Sequence, residues 1–283
     1  MARIPQKIVT RIKKNVPKFQ KVLNIAKTRD VNESDTVSII TDMLHDIFGY
    51  EKYLEITSEL AIRGTFCDLA IKIDDKYSYL IECKAIGIDL KENHKKQAID
   101  YGANKGISWI ILTNGMIWEI YRLRFEQPIN YDLVFTLDFK NINIKEEKDI
   151  ELLYLLCQEA SSKKLIETYF EKVQRVNKYI LGNMLLCESV ISAVKREMRK
   201  FADGIRIESD EISEIIEHEV LKREIVEGDE AEDAQKRLKK HLKKSTKPKR
   251  NVVEKQVEKN EESKVEALSV TERLLQESAN SEE

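Results

Sequence analysis

The sequence predicts an α/β chain: a mixed sheet flanked by helices, then an all-α extension and a charged tail. Three observations carry this. Helical stripes and strand-like runs follow one another in the order helix, three strands, helix, two or more strands. From about residue 146 only helical periodicity remains. From residue 229 onward Lys, Glu, Gln and Ser dominate, a composition that favours disorder. The expected organisation is a basic N-terminal flank at 1–30, a sheet domain at 31–145, a helical domain at 146–228 and a largely disordered tail at 229–283.

The first 30 residues interleave Lys and Arg with Ile8, Ile12, Val16, Phe19, Val22 and Ile25 at three- and four-residue steps. Pro17 is expected to interrupt that helix, because proline lacks the N–H that an interior turn needs. An amphipathic segment packed on the domain is favoured over a flank that tracks a phosphate backbone. Next, Asn32 or Ser34 caps a helix that carries acids in its first turn, where the dipole favours them. Val37, Ile40, Leu44 and Ile47 form its apolar stripe, and Gly49 ends it. YLEITSELAIR (53–63) reads as a first strand ended by Gly64. FCDLAIKI and the run through YLIECK read as a hairpin around Asp74-Asp75-Lys76. A helix is expected at roughly 89–104, ended by Gly106, with Gln97 and Tyr101 on one face. ISWIILTN, MIWEIYRL and YDLVFTLDF supply further strands, the first two joined at Asn114-Gly115. Behind them, helices are expected at roughly 162–181, 183–203 and 209–226, punctuated by Gly182, Gly204 and Gly228.

Composition sets further bounds. The formal net charge is −2, so the chain as a whole is no polycation. Cys67, Cys83, Cys157 and Cys187 form no CxxC pair or zinc-spaced cluster, and read as buried thiols of a reducing, cytoplasmic environment. No apolar run approaches the roughly 18 residues of a membrane span, so no membrane association is expected.

The chemistry concentrates in FCDLAIKIDDKYSYLIECK (66–84). Side chains alternate along a strand, so Glu82 and Lys84 share a face and Cys83 points away. With Asp68 on the neighbouring strand, two carboxylates and an amine meet on one side of a hairpin. Magnesium takes one or two protein carboxylates and completes its shell with water and phosphate oxygens. A solvated charge pair on an ordinary hairpin face is the competing reading.

Asp68, thirteen residues and then Glu82-Cys83-Lys84 resembles the PD-(D/E)xK nuclease signature. The closer likeness is to the N-terminal nuclease domain of the R subunit of type I restriction enzymes. It rests on Glu59 before Gly64, Asp68, IECKA at 81–85, Gln97-x-x-x-Tyr101, and LTNG at 112–115 followed by IWEIYR. It covers roughly residues 30–140. The resemblance implies a restriction-endonuclease-like fold in which Asp68 and Glu82 bind Mg²⁺, Lys84 assists the attacking water, and Gln97 and Tyr101 lie beside the site. Glu33 and Glu59 are further candidate metal carboxylates. The implied activity is Mg²⁺-dependent endonucleolytic hydrolysis of DNA, with a homodimer as one way to cut both strands. No Gly-x-x-x-x-Gly-Lys-Ser/Thr loop is present, so neither ATP use nor a helicase motor is expected. The alternative is a non-catalytic nucleic-acid-binding or assembly module that keeps the nuclease fold.

Overall fold

In the computed structural model, which describes residues 3–62, 65–201 and 204–245, the chain divides into two units, Met1–Arg175 and Val176–Glu283. The first is α/β. Its six strands are β1 (Ile56–Ile62), β2 (Thr65–Ile73), β3 (Lys76–Cys83), β4 (Trp109–Thr113), β5 (Ile117–Arg124) and β6 (Asn130–Asp138), hydrogen-bonded in chain order. Every neighbouring pair is antiparallel except β3 and β4. That parallel pair needs a crossover, which α3 (Glu92–Lys105) supplies. The expected strand end at Gly64 lies outside the described residues.

Turn chemistry sets the register of the central hairpin. Asp74 and Asp75 both take positive φ, 50° and 60°. A two-residue turn of that hand matches the twist of the strands it joins. Asn114 and Gly115 instead belong to a three-residue connection between β4 and β5. The Asn114 side-chain oxygen accepts the N–H groups of Met116 and Ile117, and Gly115 supplies φ +81°.

Helices cover both sheet faces. On one, α1 (Gln6–Thr28), α2 (Glu33–Asp46), α4 (Glu147–Leu155), α5 (Gln158–Ser161) and α6 (Leu165–Arg175) pack over Leu69, Ile71, Ile81, Ile111, Trp118 and Ile120. On the other, Ala98 and Ile99 of α3 pack over Ala70, Leu80, Ile110 and Leu112. The boundary expected at 145/146 therefore falls inside this unit, and so does the N-terminal flank.

Pro17 does not break α1, contrary to expectation. Ile8, Ile12 and Val16 before it, and Phe19, Leu23 and Ala26 after it, are all buried. Seating both halves on the core outweighs the roughly 3 kcal/mol that an interior proline costs. The lysines of α1 face solvent, while Arg11 turns inward. Its guanidinium donates to the Ile47 and Phe48 carbonyls and makes a bidentate pair with Glu159, both bonds at 2.7 Å. The Ile47 carbonyl is at the C-cap of α2, which has no further helical N–H to satisfy it, and the Phe48 carbonyl just beyond also accepts the Gln158 N–H.

The second unit is helical: α7 (Lys178–Leu185), α8 (Glu188–Phe201), α9 (Ser209–Ile215), a π-helical turn (Ile216–Val220), α10 (Arg223–Val226) and α11 (Asp229–Ser245). The helices differ from those expected. The break falls at Val176–Asn177, where the Asn177 side chain caps α7 by accepting the Ile180 N–H. Gly182 sits inside α7, and a Cβ there would come within 2.4 Å of Ile225. Here the glycine serves close packing, not helix termination. Residues 229–245, expected to be disordered, form α11, and the rest of the expected tail lies outside the described residues. Cys67, Cys83 and Cys157 are buried free thiols, whereas Cys187 is only half-buried. Among the described residues no helix is long and apolar enough to cross a membrane.

Candidate active site

Asp68 and Glu82 stand on adjacent strands, one step beyond the paired residues Leu69 and Ile81. Both project to the α3 side of the sheet, as do Ala70 and Leu80 two residues away. One Asp68 oxygen accepts the Cys83 backbone N–H at 2.7 Å, which fixes the carboxylate across the two strands. Lys84 continues the β3–β4 ladder through its N–H to the Thr113 carbonyl. Its side chain returns to Glu82, with Nζ donating to Oε1 at 2.6 Å. Glu33, the first residue of α2, brings Oε2 to 3.8 Å from the same Nζ. The Asn32 cap, whose side chain accepts the Asp35 N–H, sets where α2 starts and so where Glu33 lies.

The electrostatics are those of carboxylates crowded out of water. Glu82 is 2% exposed, and its Oε2 has no hydrogen-bond partner among the described residues. Burial, then the neighbouring Asp68, pushes its pKa up to about 7 against the opposing pull of Lys84. Burial also raises Asp68, opposed by the Cys83 N–H and Lys84 and reinforced by Glu33 and Glu59. For Lys84, burial favours the neutral amine, but the bond to Glu82 and the surrounding carboxylates outweigh it and its pKa rises.

An orphaned carboxylate oxygen beside a second carboxylate fits a hard divalent cation, which binds through oxygen. Asp68 and Glu82 would hold it. Among the described residues no group of three or more His, Cys, Asp or Glu side chains is arranged to hold a metal. A two-carboxylate site leaves the remaining positions to water and phosphate.

The other expected residues divide. Glu33 joins the cluster. Glu59 lies between Ser58 and Leu60, which pair with Leu69 and Cys67, but it is exposed, at φ 52°, and among the described residues it acts on Asp68 through its charge. Gln97 and Tyr101 bond each other, Nε2 to the hydroxyl at 3.0 Å, and neither bonds to the carboxylates among the described residues. The Cys83 N–H is a site group that sequence reading missed. A backbone donor carries no signal in residue type.

In the metal-free protein the Glu82 carboxyl titrates near 4.5 when unfolded and near 7 when folded, so the folded state holds its proton longer. The contribution of this group to stability is then greatest below about pH 4.5 and falls as pH rises towards 7, by about 3 kcal/mol. Urea titrations in EDTA across that window are expected to show the fall. Glu82→Gln should flatten it, and Mg²⁺ should diminish it, since the ionised carboxylate is the form that binds. An identical fall in Glu82→Gln would refute the assignment.

No family model, curated protein or solved structure matches the chain.

Proposed function

We propose that the chain is a Mg²⁺-dependent endonuclease that hydrolyses phosphodiester bonds in DNA. It would be a PD-(D/E)xK enzyme of the type I restriction R-subunit branch, without an ATP-driven motor. The observation that carries this is the unpartnered Glu82 oxygen, buried beside Asp68 with Lys84 within bonding distance of the same carboxylate. Mg²⁺, when bound, supplies a Lewis acid that makes a water more acidic and offsets charge building on the phosphate. The protein's own groups do the rest. Asp68 is held by the Cys83 N–H, so it presents a fixed carboxylate. Lys84 keeps its proton, and its ammonium would orient the attacking water and stabilise the pentacoordinate transition state. The water oxygen forms one P–O bond, one ester P–O bond breaks, and the leaving oxygen takes up a proton. Glu33 bears on Lys84, which makes it a positioning carboxylate. A single centre cuts one strand at a time, so duplex scission needs two protomers or two successive cuts.

A second reading is a nucleic-acid-binding module without catalysis. It is favoured by the carboxylates being engaged already, Asp68 with Cys83 and Glu82 with Lys84. Purified protein incubated with supercoiled, linear and single-stranded DNA, and with RNA, separates the two. Cleavage of DNA in Mg²⁺ and none in EDTA is expected. Binding without cleavage on every substrate would instead establish the second reading.

A further inference from the structure

His94 lies in the first turn of α3, the helix that covers the sheet face bearing Asp68 and Glu82. Its Nδ1 faces the Lys91 backbone N–H at 3.2 Å. A nitrogen that accepts that bond is unprotonated, so in the neutral ring the proton sits on Nε2. His94, Gln97 and Tyr101 recur at i, i+3 and i+7, one stripe of polar side chains along the helix. The stripe borders the buried positions Ala98 and Gly102, which seat α3 on the sheet. Gly102 allows that seating, because a Cβ there would lie 2.9 Å from the Ile107 carbonyl oxygen.

His94 also shares the electrostatic neighbourhood of the carboxylate cluster. After burial, the charge that acts on it most is that of Lys84, ahead of Lys91, with Glu33 opposing. All three effects that favour deprotonation point one way, and its pKa is lowered. Near pH 7 the ring is neutral and offers a single N–H donor.

We propose that His94 is a phosphate-contact residue of this centre, its Nε2–H donating to a backbone oxygen of the bound nucleic acid. This rests on the nucleic-acid reading of the Asp68–Glu82–Lys84 centre. The Lys91 bond turns the ring so that one nitrogen is used by the helix and the other is left for a ligand. Gln97 and Tyr101 then continue the donor line one and two turns further on. A neutral donor suits this place, because the nearby Lys84 and Lys91 charges disfavour a third cation there.

Two substitutions in the full chain separate the two ring nitrogens. His94→Asn keeps an acceptor near the Nδ1 position and removes the Nε2 donor. His94→Gln does the reverse. Affinity for a fluorescein-labelled DNA duplex is read by anisotropy in Ca²⁺, and cleavage is read in Mg²⁺. His94→Asn is expected to melt like the unsubstituted protein and to lose about tenfold or more in affinity, in cleavage rate, or in both. His94→Gln should retain most of each. If His94→Asn matches the unsubstituted protein in both readouts, the proposal is overturned. If the unsubstituted protein binds but never cuts, while His94→Asn binds more weakly, the contact stands and the nuclease reading fails. If the unsubstituted protein neither binds nor cuts, both fail.

Discussion

Glu82→Gln is expected to lower Mg²⁺-dependent DNA cleavage by about 10³-fold or more while leaving the fold at least as stable at neutral pH. The two halves of that expectation come from one observation. Glu82 is buried, its Oε2 is unpartnered, and its carboxyl titrates near 7 in the metal-free protein. An isosteric neutral amide removes a charge that the folded chain holds at a disadvantage, so stability is not lost. The same change removes the oxygen pair that a divalent cation would take, so the chemistry is. Asp68→Asn should behave alike in activity, because its remaining oxygen can still accept the Cys83 N–H. Lys84→Ala differs, since it takes from the buried Glu82 the one counter-charge within bonding distance among the described residues, and should lower both stability and rate. Cleavage time courses, read beside urea midpoints in EDTA, distinguish these cases. A Glu82→Gln protein that cuts at the unsubstituted rate would remove Glu82 from the centre. An inactive but grossly unstable one would mean that the carboxylate is structural.

The hairpin that bears Asp68 and Glu82 was legible in the sequence because its signals are local. Strand alternation sets the face, and Asp74-Asp75 form a turn whose two positive φ values fix the register. The Asn32 cap was legible for the same reason, since its side chain bonds three residues ahead. What depends on tertiary packing was not legible. Pro17 reads as a break, yet burial on both sides carries the helix through it. Glu33 reads as a candidate metal carboxylate, but that it stands 3.8 Å from the Lys84 ammonium depends on how α2 packs. Gly182 reads as a stop, and only the approach of Ile225 shows why a residue without a side chain stands there. Arg11, one of many cations in a basic stretch, gave no sign that it would close the end of α2.

Trp118→Ala is expected to destabilise the first unit by about 3–5 kcal/mol, the largest loss foreseen for any single side chain. Trp118 is fully buried, and three elements converge on it. Its ring lies 5.4 Å from Phe48, just beyond α2, and 5.9 Å from Phe139, just beyond β6. Its indole N–H donates to the Gly115 carbonyl at 3.0 Å, across the connection between β4 and β5. Truncation leaves a cavity that rigid strands cannot collapse, and also leaves that carbonyl without its donor. Trp118→Phe keeps most of the volume and should lose clearly less. The residue lies on the sheet face opposite the carboxylates, so the effect on chemistry is indirect. In conditions where Trp118→Ala remains folded, its cleavage rate should stay within about threefold of the unsubstituted protein. Under those conditions, Asp68→Asn should be inactive at unchanged stability. Urea unfolding followed by circular dichroism gives the first quantity, and cleavage at low temperature gives the second. A loss below about 1 kcal/mol would show that the aromatic cluster of Phe48, Trp118 and Phe139 is not what holds α2 to the sheet. A folded Trp118→Ala protein with no cleavage would show that the packing of α2, and with it the place of Glu33 beside Lys84, governs the chemistry directly.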